Sequence, residues 1–359
     1  MKHRDPRGFL LLISSILCLF LVAEVGIRTL DAWNGNGFFS DHRNLVKQRK
    51  QRTIAFPFRT FGFDLYKEID GKRYILSSHG DPYLLEKQPD TIRIVALGGS
   101  TTQNIIGGPD YPRSLQKMLK ERHPDKNIEV INLGMSAYAT PHSLILLELD
   151  VLSWSPDFVI LSHNANDLLA TYFKDFTFDY SNKYAHPFYY ANYGAQFSLP
   201  NQILQWSHFY WFLRGKIINT WTYHTDFRRE SYGPEPPQVS QEVFRRNLET
   251  FAAIAQSNGI HVLFGTQPLE PSKEYWERHM GFKHFSRFYD AVIYPLHEEF
   301  VSHHRRFNEI IREVAREMKA TLVDNTFSDQ KYFVDFVHNT PEGIEKLAEN
   351  YFYVLETKL

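Results

Sequence analysis

Residues 92–102 read Ile92-Arg93-Ile94-Val95-Ala96-Leu97-Gly98-Gly99-Ser100-Thr101-Thr102. A short run of β-branched and aliphatic residues, closed by two glycines, predicts a buried strand that ends in a sharp turn. Segments 128–133, 158–162, 260–264 and 321–323 have the same character. Between them lie helical patterns near 112–122, around 141–152, over 240–257 and roughly over 305–319. The third of these closes on Asn258-Gly259, which suits a C-terminal cap. A final helix is expected after Thr340, a good N-cap, with Pro341 at the first helical position. Strands that alternate with helices form a mainly parallel sheet covered on both faces. The expected fold class is therefore α/β, with a five-stranded mainly parallel sheet. Ligands of such sheets gather beyond the carboxyl ends of the strands, so residues just after each strand are the first candidates for chemistry.

Outside this region the chain is organised differently. Lys2, Arg4 and Arg7 precede an uncharged stretch at 8–23, a pattern of membrane targeting. A spanning helix needs about 20 mainly apolar residues. The stretch reaches that length if Val25-Gly26-Ile27 is included and Glu24 snorkels. Leu21 poorly fits the small-residue requirement for cleavage after Ala23, so an uncleaved signal anchor is expected. Residues 1–30 then form a cytoplasmic tail and transmembrane segment. The early lysine and arginine bias sends the large domain to the extracytoplasmic side, periplasmic or extracellular. Residues 31–53 read as a polar linker. Its basic cluster Arg43, Lys47, Arg49, Lys50 and Arg52 is either solvated or in contact with anionic headgroups. Residues 54–90 alternate aromatic and polar side chains around Asp70-Gly71, which suggests a hairpin or arm laid on the next domain. That domain is 91–359.

Composition narrows the function classes. A formal net charge of -1 gives no basic footprint, so nucleic acid is not a favoured partner. The only cysteine, Cys18, lies in the apolar run, so no disulfide framework or cysteine-based zinc site is available. His279, His284, His297, His303 and His304 gather after the fourth strand without the spacing of a zinc helix, and read as surface histidines. No GxGxxG or GxxxxGK[ST] is present, and neither a metal nor a cofactor is expected.

Chemistry is expected at the strand ends. Gly98 and Gly99 let the backbone turn and expose Ser100 at the sheet edge. A serine hydroxyl needs an adjacent base to become a nucleophile. Asp335-Phe336-Val337-His338, before the last helix, supplies one: the Asp335 carboxylate reaches the His338 imidazole and fixes its tautomer, leaving the other nitrogen for the Ser100 proton. Charge on the substrate oxygen needs aimed donors. Gly134, after the second strand, offers a backbone N–H, and Asn166, after the third, a side-chain amide. Each of these residues also has a plain reading as a turn former. Residues 170–237 form an insertion rich in aromatics, among them Tyr172, Phe173, Tyr189, Tyr190, Trp206, Tyr210, Trp211 and Trp221. It reads either as a lid for sugar rings or an acyl chain, or as a satellite core over the sheet.

These blocks resemble the GDSL/SGNH hydrolases over about residues 91–359. The four namesake residues map onto Ser100 of GGST, Gly134 of NLGMS, Asn166 of NAND and His338 of DFVH, with Asp335 as the triad acid. The resemblance implies a flavodoxin-like three-layer α/β/α fold. It also implies a serine ester hydrolase that works through an acyl-serine intermediate, with Ser100, Gly134 and Asn166 forming the oxyanion hole. Two positions depart from the pattern. The acidic residue usual before the nucleophile is Gly99, and the glycine usual two before the oxyanion asparagine is Asn164. Membrane-anchored bacterial envelope relatives look similar in their apolar start and GGSTT turn. The apolar start and the aromatic insertion point to an O-acyl group on an envelope carbohydrate or lipid as substrate, with envelope polysaccharide machinery as the expected partner. An O-acyltransferase using the same triad, and a non-catalytic glycan-binding protein, are the alternative readings.

Overall fold

A computed structural model describes residues 6–34, 38–39, 54–56, 58–104, 108–184, 203–204, 206–224, 233, 235–280 and 295–359. The basic cluster Arg43–Arg52, Tyr189, Tyr190 and His284 lie outside the described residues, as do the side chains of Trp221 and His279. The chain divides into two units, Met1–Phe63 with His186–Phe227, and Asp64–Ala185 with Arg228–Leu359.

The chain opens with α1 (Pro6–Trp33). Its segment Leu10–Trp33 has a mean hydropathy of 2.6 and is only 6% buried, so it is long and apolar enough to cross a membrane. Glu24 does not snorkel as expected. It is 5% exposed and turns its carboxylate to partners within its own unit. An antiparallel hairpin comes next, β1 (Ile54–Phe56) with β2 (Thr60–Gly62). The second unit then begins with an antiparallel three-stranded sheet of β3 (Tyr66–Ile69), β4 (Lys72–Leu76) and β5 (Pro82–Leu84). Asp70 and Gly71 link β3 to β4 with φ of 50° and 72°, the left-handed pair that a two-residue type I′ turn requires.

The central sheet comprises β6 (Thr91–Gly98), β7 (Asn127–Asn132), β8 (Phe158–Ser162), β9 (His261–Gly265) and β10 (Thr321–Val323). All neighbours are parallel, in the order β10-β9-β8-β6-β7. Its connections carry α2 (Ser100–Gln103), α3 (Tyr111–Arg122), α4 (Thr140–Leu149), α5 (Ala165–Tyr172), α6 (Ser181–Tyr184), α7 (His208–His224, in the first unit), α8 (Val239–Ser257), α9 (Lys273–Met280) and α10 (His297–Glu317). After β10 come a 3-10 turn at Gln330–Tyr332 and the last helix, α11 (Pro341–Glu356). Alternate residues of each strand face opposite layers. Ile94, Ala96, Ile128, Val130 and Ile160 join Leu115 and Leu119 of α3 and Leu347 and Tyr351 of α11 in one core. Tyr111 stacks on Tyr351 there, with ring centroids 4.9 Å apart. On the other layer α8 packs beside α4 and α10.

The five strands and the alternating order agree with the sequence reading. Helix boundaries differ for identifiable reasons. α10 starts at His297 rather than near 305, because Phe300, Val301, His304 and Phe307 form its buried stripe and a histidine within it reads as polar. α4 stops at Leu149, capped by Asp150, and a separate 3-10 turn takes over at Val151–Trp154. α5 and α9 are eight residues each, short enough for a periodic pattern to be hidden.

One charged residue sits wholly inside this frame. Arg93 on β6 is 0% exposed and donates to Glu129 (2.8 Å), Leu84 O (2.7 Å), Leu85 O (3.2 Å) and Trp154 O (3.0 Å). The guanidinium thereby ties the end of β5 to the central sheet. Arg93→Met would leave Glu129 and three carbonyls without their donor. Its expected cost is roughly 3 kcal/mol, read as a lower urea midpoint in equilibrium unfolding; an unchanged midpoint would refute the role.

Candidate active site

β6 ends at Gly98, and Gly99 (φ -90°, ψ -152°) is followed at once by the single turn of α2. Thr102 N–H and Gln103 N–H both donate to Gly99 O, at 3.1 and 3.0 Å. Ser100 is thus the first residue of a turn perched on the carboxyl edge of the sheet. Among the described residues its N–H finds no acceptor within the chain.

His338 and Asp335 arrive from the loop before α11. Asp335 Oδ2 accepts from His338 Nδ1 at 2.7 Å, while its Oδ1 accepts from the N–H groups of Val337 (3.0 Å) and His338 (2.8 Å). Both carboxylate oxygens are committed, so the carboxylate cannot rotate without losing bonds. With Nδ1 carrying the proton, His338 Nε2 is left as acceptor toward Ser100 Oγ, 2.8 Å away. His338 is 4% exposed. The loop is pinned by Phe336, whose ring lies 4.8 Å from Trp276 and 5.5 Å from Phe300, and whose carbonyl accepts Glu270 N–H at 3.0 Å. Sequence reasoning missed this aromatic clamp because its members are scattered over α9, α10 and the loop.

The expected donors differ from one another. Asn166 Nδ2 gives one proton to Tyr138 O at 2.9 Å and lies directly over Gly99. A Cβ at position 99 would come within 2.6 Å of that nitrogen. A side chain at position 99 would therefore require the Asn166 amide to move. Gly134 N–H is directed at Asn132 Oδ1 at 2.8 Å, so this donor is engaged within the chain. Asn132 in turn donates to Thr102 O at 2.8 Å, fastening the end of β7 to α2.

Asn164 replaces the usual glycine without strain, its φ of -167° being extended backbone. Its amide donates to His304 O (2.9 Å) and Asn308 Oδ1 (2.8 Å). Asn308 exchanges two further bonds with the Gln267 backbone, at 3.0 and 2.9 Å. Gln267 accepts Ala165 N–H (2.7 Å) and donates to Thr101 Oγ1 (3.3 Å). This buried amide lattice joins the ends of β6, β8 and β9 to α10. Gln267 and Asn308 were invisible as site residues, since a single amide after a strand or inside a helix looks like ordinary surface polarity.

The sequence profile of the GDSL-like lipase/acylhydrolase family matches residues 96–346, which span both Ser100 and His338. The chain belongs to this family. It is a GDSL/SGNH-type esterase or acylhydrolase. Solved structures similar to it include an alpha/beta hydrolase enzyme from the metagenome of Lake Arreo, Spain (17% identity, 74% of this chain and 95% of that one, TM-score 0.43). A GDSL-like lipase from Bacteroides thetaiotaomicron (14%, 74% and 89%, 0.42) and an acetylxylan esterase from Geobacillus stearothermophilus (14%, 74% and 94%, 0.44) are also similar. No curated protein matches the chain.

Behind Asn166 the acylhydrolase buries a second polar cluster. Asp167 is 0% exposed and accepts Thr140 N–H at 3.0 Å and the Thr140 hydroxyl. Burial pushes its carboxyl up to about 6. Lys183 on α6 donates to Asn166 O at 3.2 Å, and burial pulls its ammonium down to about 8, against the opposing pull of Asp167. His163 pairs with Ser143 Oγ at 2.7 Å and is pushed by burial to about 3, hence neutral. The histidines further along the chain are only partly on the surface. His297 donates to Pro271 O and His303 pairs with Tyr172 Oη. His304 is buried, at 1% exposure, and burial holds it at about 3, a correction to its surface reading. Among the described residues no group of three or more metal-binding side chains is assembled.

The Lys183 shift has a measurable consequence. Its ordinary value is 10.5, so the native chain releases this proton at lower pH than the unfolded chain. Stability is therefore expected to rise as pH climbs from about 8 to 10.5, by at most about 1.4 kcal/mol per pH unit. Urea unfolding across that range should show the rise in the wild type and not in Lys183→Met; parallel curves would refute it.

Proposed function

We propose that Ser100, His338 and Asp335 are the catalytic triad of an extracytoplasmic hydrolase that removes O-acyl groups from an envelope carbohydrate or lipid. The observation that carries this reading is the continuous relay from Asp335 Oδ2 through His338 to Ser100 Oγ, with spacings of 2.7 and 2.8 Å. Ser100 Oγ attacks the ester carbonyl carbon as its proton passes to His338 Nε2. The imidazolium formed is stabilised by Asp335 and then gives that proton to the departing alcohol oxygen. Water, deprotonated by the same nitrogen, attacks the acyl carbon; the bond from that carbon to Ser100 Oγ breaks, the proton returns from His338 to Ser100 Oγ, and the carboxylic acid leaves.

The developing oxyanion is met by the Ser100 N–H and the second amide proton of Asn166. Gly134 N–H joins them once it leaves Asn132 Oδ1. The hydrolase domain in this reading is 91–359, with 170–237 as its insertion. The apolar α1 behind Lys2, Arg4 and Arg7 supports an uncleaved anchor with that domain on the far side of the membrane.

Incubation with a fluorophosphonate probe should label the wild type, and p-nitrophenyl acetate should be hydrolysed. Ser100→Ala is expected to lose both; labelling that persists in it reassigns the nucleophile. Asp335→Asn should lower kcat by about 10⁴-fold through the wrong imidazole tautomer, and Asn166→Ala by about 10²–10³-fold. Esters of acetylated envelope glycans, assayed with and without an acceptor sugar, distinguish water from a sugar hydroxyl as the acyl acceptor.

A further inference from the structure

The first unit contains an arrangement that the ester chemistry does not use. Glu24 lies inside the apolar segment of α1, where an unmet carboxylate is costly. Its oxygens accept from Arg28 Nε (2.7 Å), Ser207 Oγ (2.7 Å), His208 N–H (3.0 Å) and Phe209 N–H (2.9 Å). The last two belong to the opening turn of α7, whose first N–H groups have no partner within their own helix. Glu24 therefore caps α7 from a distant part of the chain and meets the positive end of its dipole. Around this cap, His208 Nδ1 donates to Asp31 Oδ2 at 2.6 Å, and Arg28 donates to Trp206 O and Phe38 O. Phe20 packs edge-on against Trp206 and Phe209, at 6.5 and 5.6 Å.

From this attachment α7 presents an apolar face to its surroundings. Phe212, Leu213 and Ile217 are exposed, Ile217 by 58%. The helix has no acidic residue. Its cations Arg214 and Lys216 lie over the rings of Trp211 (5.2 Å) and Phe212 (5.6 Å). Trp33, at the end of α1, is 88% exposed and Trp206 47%. Exposed aliphatic residues, aromatic rings and purely positive charge are the composition of a membrane–water boundary. Glu24 lies about 21 Å along the helix axis from Leu10, so α7 begins in the last third of a hydrocarbon core about 30 Å thick.

We propose that α7 is a second membrane-contacting helix, held to the anchor by the Glu24 cap and seating Phe212, Leu213 and Ile217 in the lipid headgroup boundary. Arg214 and Lys216 give it a preference for anionic lipid. This inference rests on the reading of α1 as a membrane anchor, and part of the aromatic insertion thereby serves the bilayer rather than the substrate.

The test uses the full chain reconstituted in phosphatidylcholine–phosphatidylglycerol vesicles, with and without brominated acyl chains. A bimane label is placed on native Cys18, exposed on α1, or on Ile217→Cys or Lys117→Cys, each in a Cys18→Ser background. Lys117 is 77% exposed on α3 and reports the aqueous side. Unchanged far-ultraviolet circular dichroism shows that α1 and α7 remain helical in each labelled chain, and retained p-nitrophenyl acetate hydrolysis that the second unit is folded. Brominated lipid is expected to quench the labels at 18 and 217 at least twofold and to leave that at 117 unchanged. Quenching at 18 without quenching at 217 overturns the proposal and leaves the anchor reading standing. Quenching at neither position defeats the anchor reading and this proposal with it. Pyrene excimer emission from position 217, without lipid quenching, makes a second copy of the chain the occupant and likewise overturns it. Glu24→Ala should at least halve the quenching at 217, and unchanged quenching removes the cap from the account.

Discussion

The amide lattice of Asn164, Gln267 and Asn308 sets the registration on which the candidate site depends. Ser100, Asn166 and His338 come from three separate loops, and a hydrogen-bonded relay tolerates errors of only a few tenths of an ångström. Backbone ladders fix the strands but not the loops beyond them. Here the side-chain amide of Gln267 carries the ladder onward: its nitrogen donates to Thr101 beside Ser100, and its oxygen receives the N–H of Ala165 beside Asn166. Gln267 and Asn308 each donate and accept, and Asn164 donates twice, so displacing one leaves several buried groups unmet, a high penalty in a low-dielectric interior.

Charge burial recurs through the molecule with three different solutions. Arg93 distributes its guanidinium over one carboxylate and three carbonyls. Glu24 spends its charge on another helix's orphan N–H groups. Asp167 and Lys183 are shifted toward neutrality from opposite sides. The first two join separate pieces of chain. The third lies directly behind Asn166, so its protonation bears on the backbone that presents that amide.

Much of this was legible in the sequence, for physical reasons that differ by element. The five strands announced themselves because a doubly covered parallel strand is apolar on both faces. Ser100, Asp335 and His338 could be singled out together because each follows a strand or precedes a helix with strong local signals, Gly98-Gly99 in one case and Thr340-Pro341 in the other. The start of α10 was hidden by His304, a buried residue of polar type. The partners of Glu24 were hidden by distance, since Ser207 and His208 lie more than 180 positions away. No local pattern reports a cap supplied from so far along the chain. Gly134 was legible as a turn glycine near the site, but the engagement of its N–H by Asn132 depends on a side-chain rotamer.

The absent side chain at position 99 couples two sites that are far apart in sequence. With the Asn166 amide lodged against the glycine backbone, a side chain can enter at 99 only as that amide moves aside. A saturation library built at 99 would therefore report how far the side chain at 166 can shift, and a paired library at 99 and 166 would separate crowding from loss of the amide.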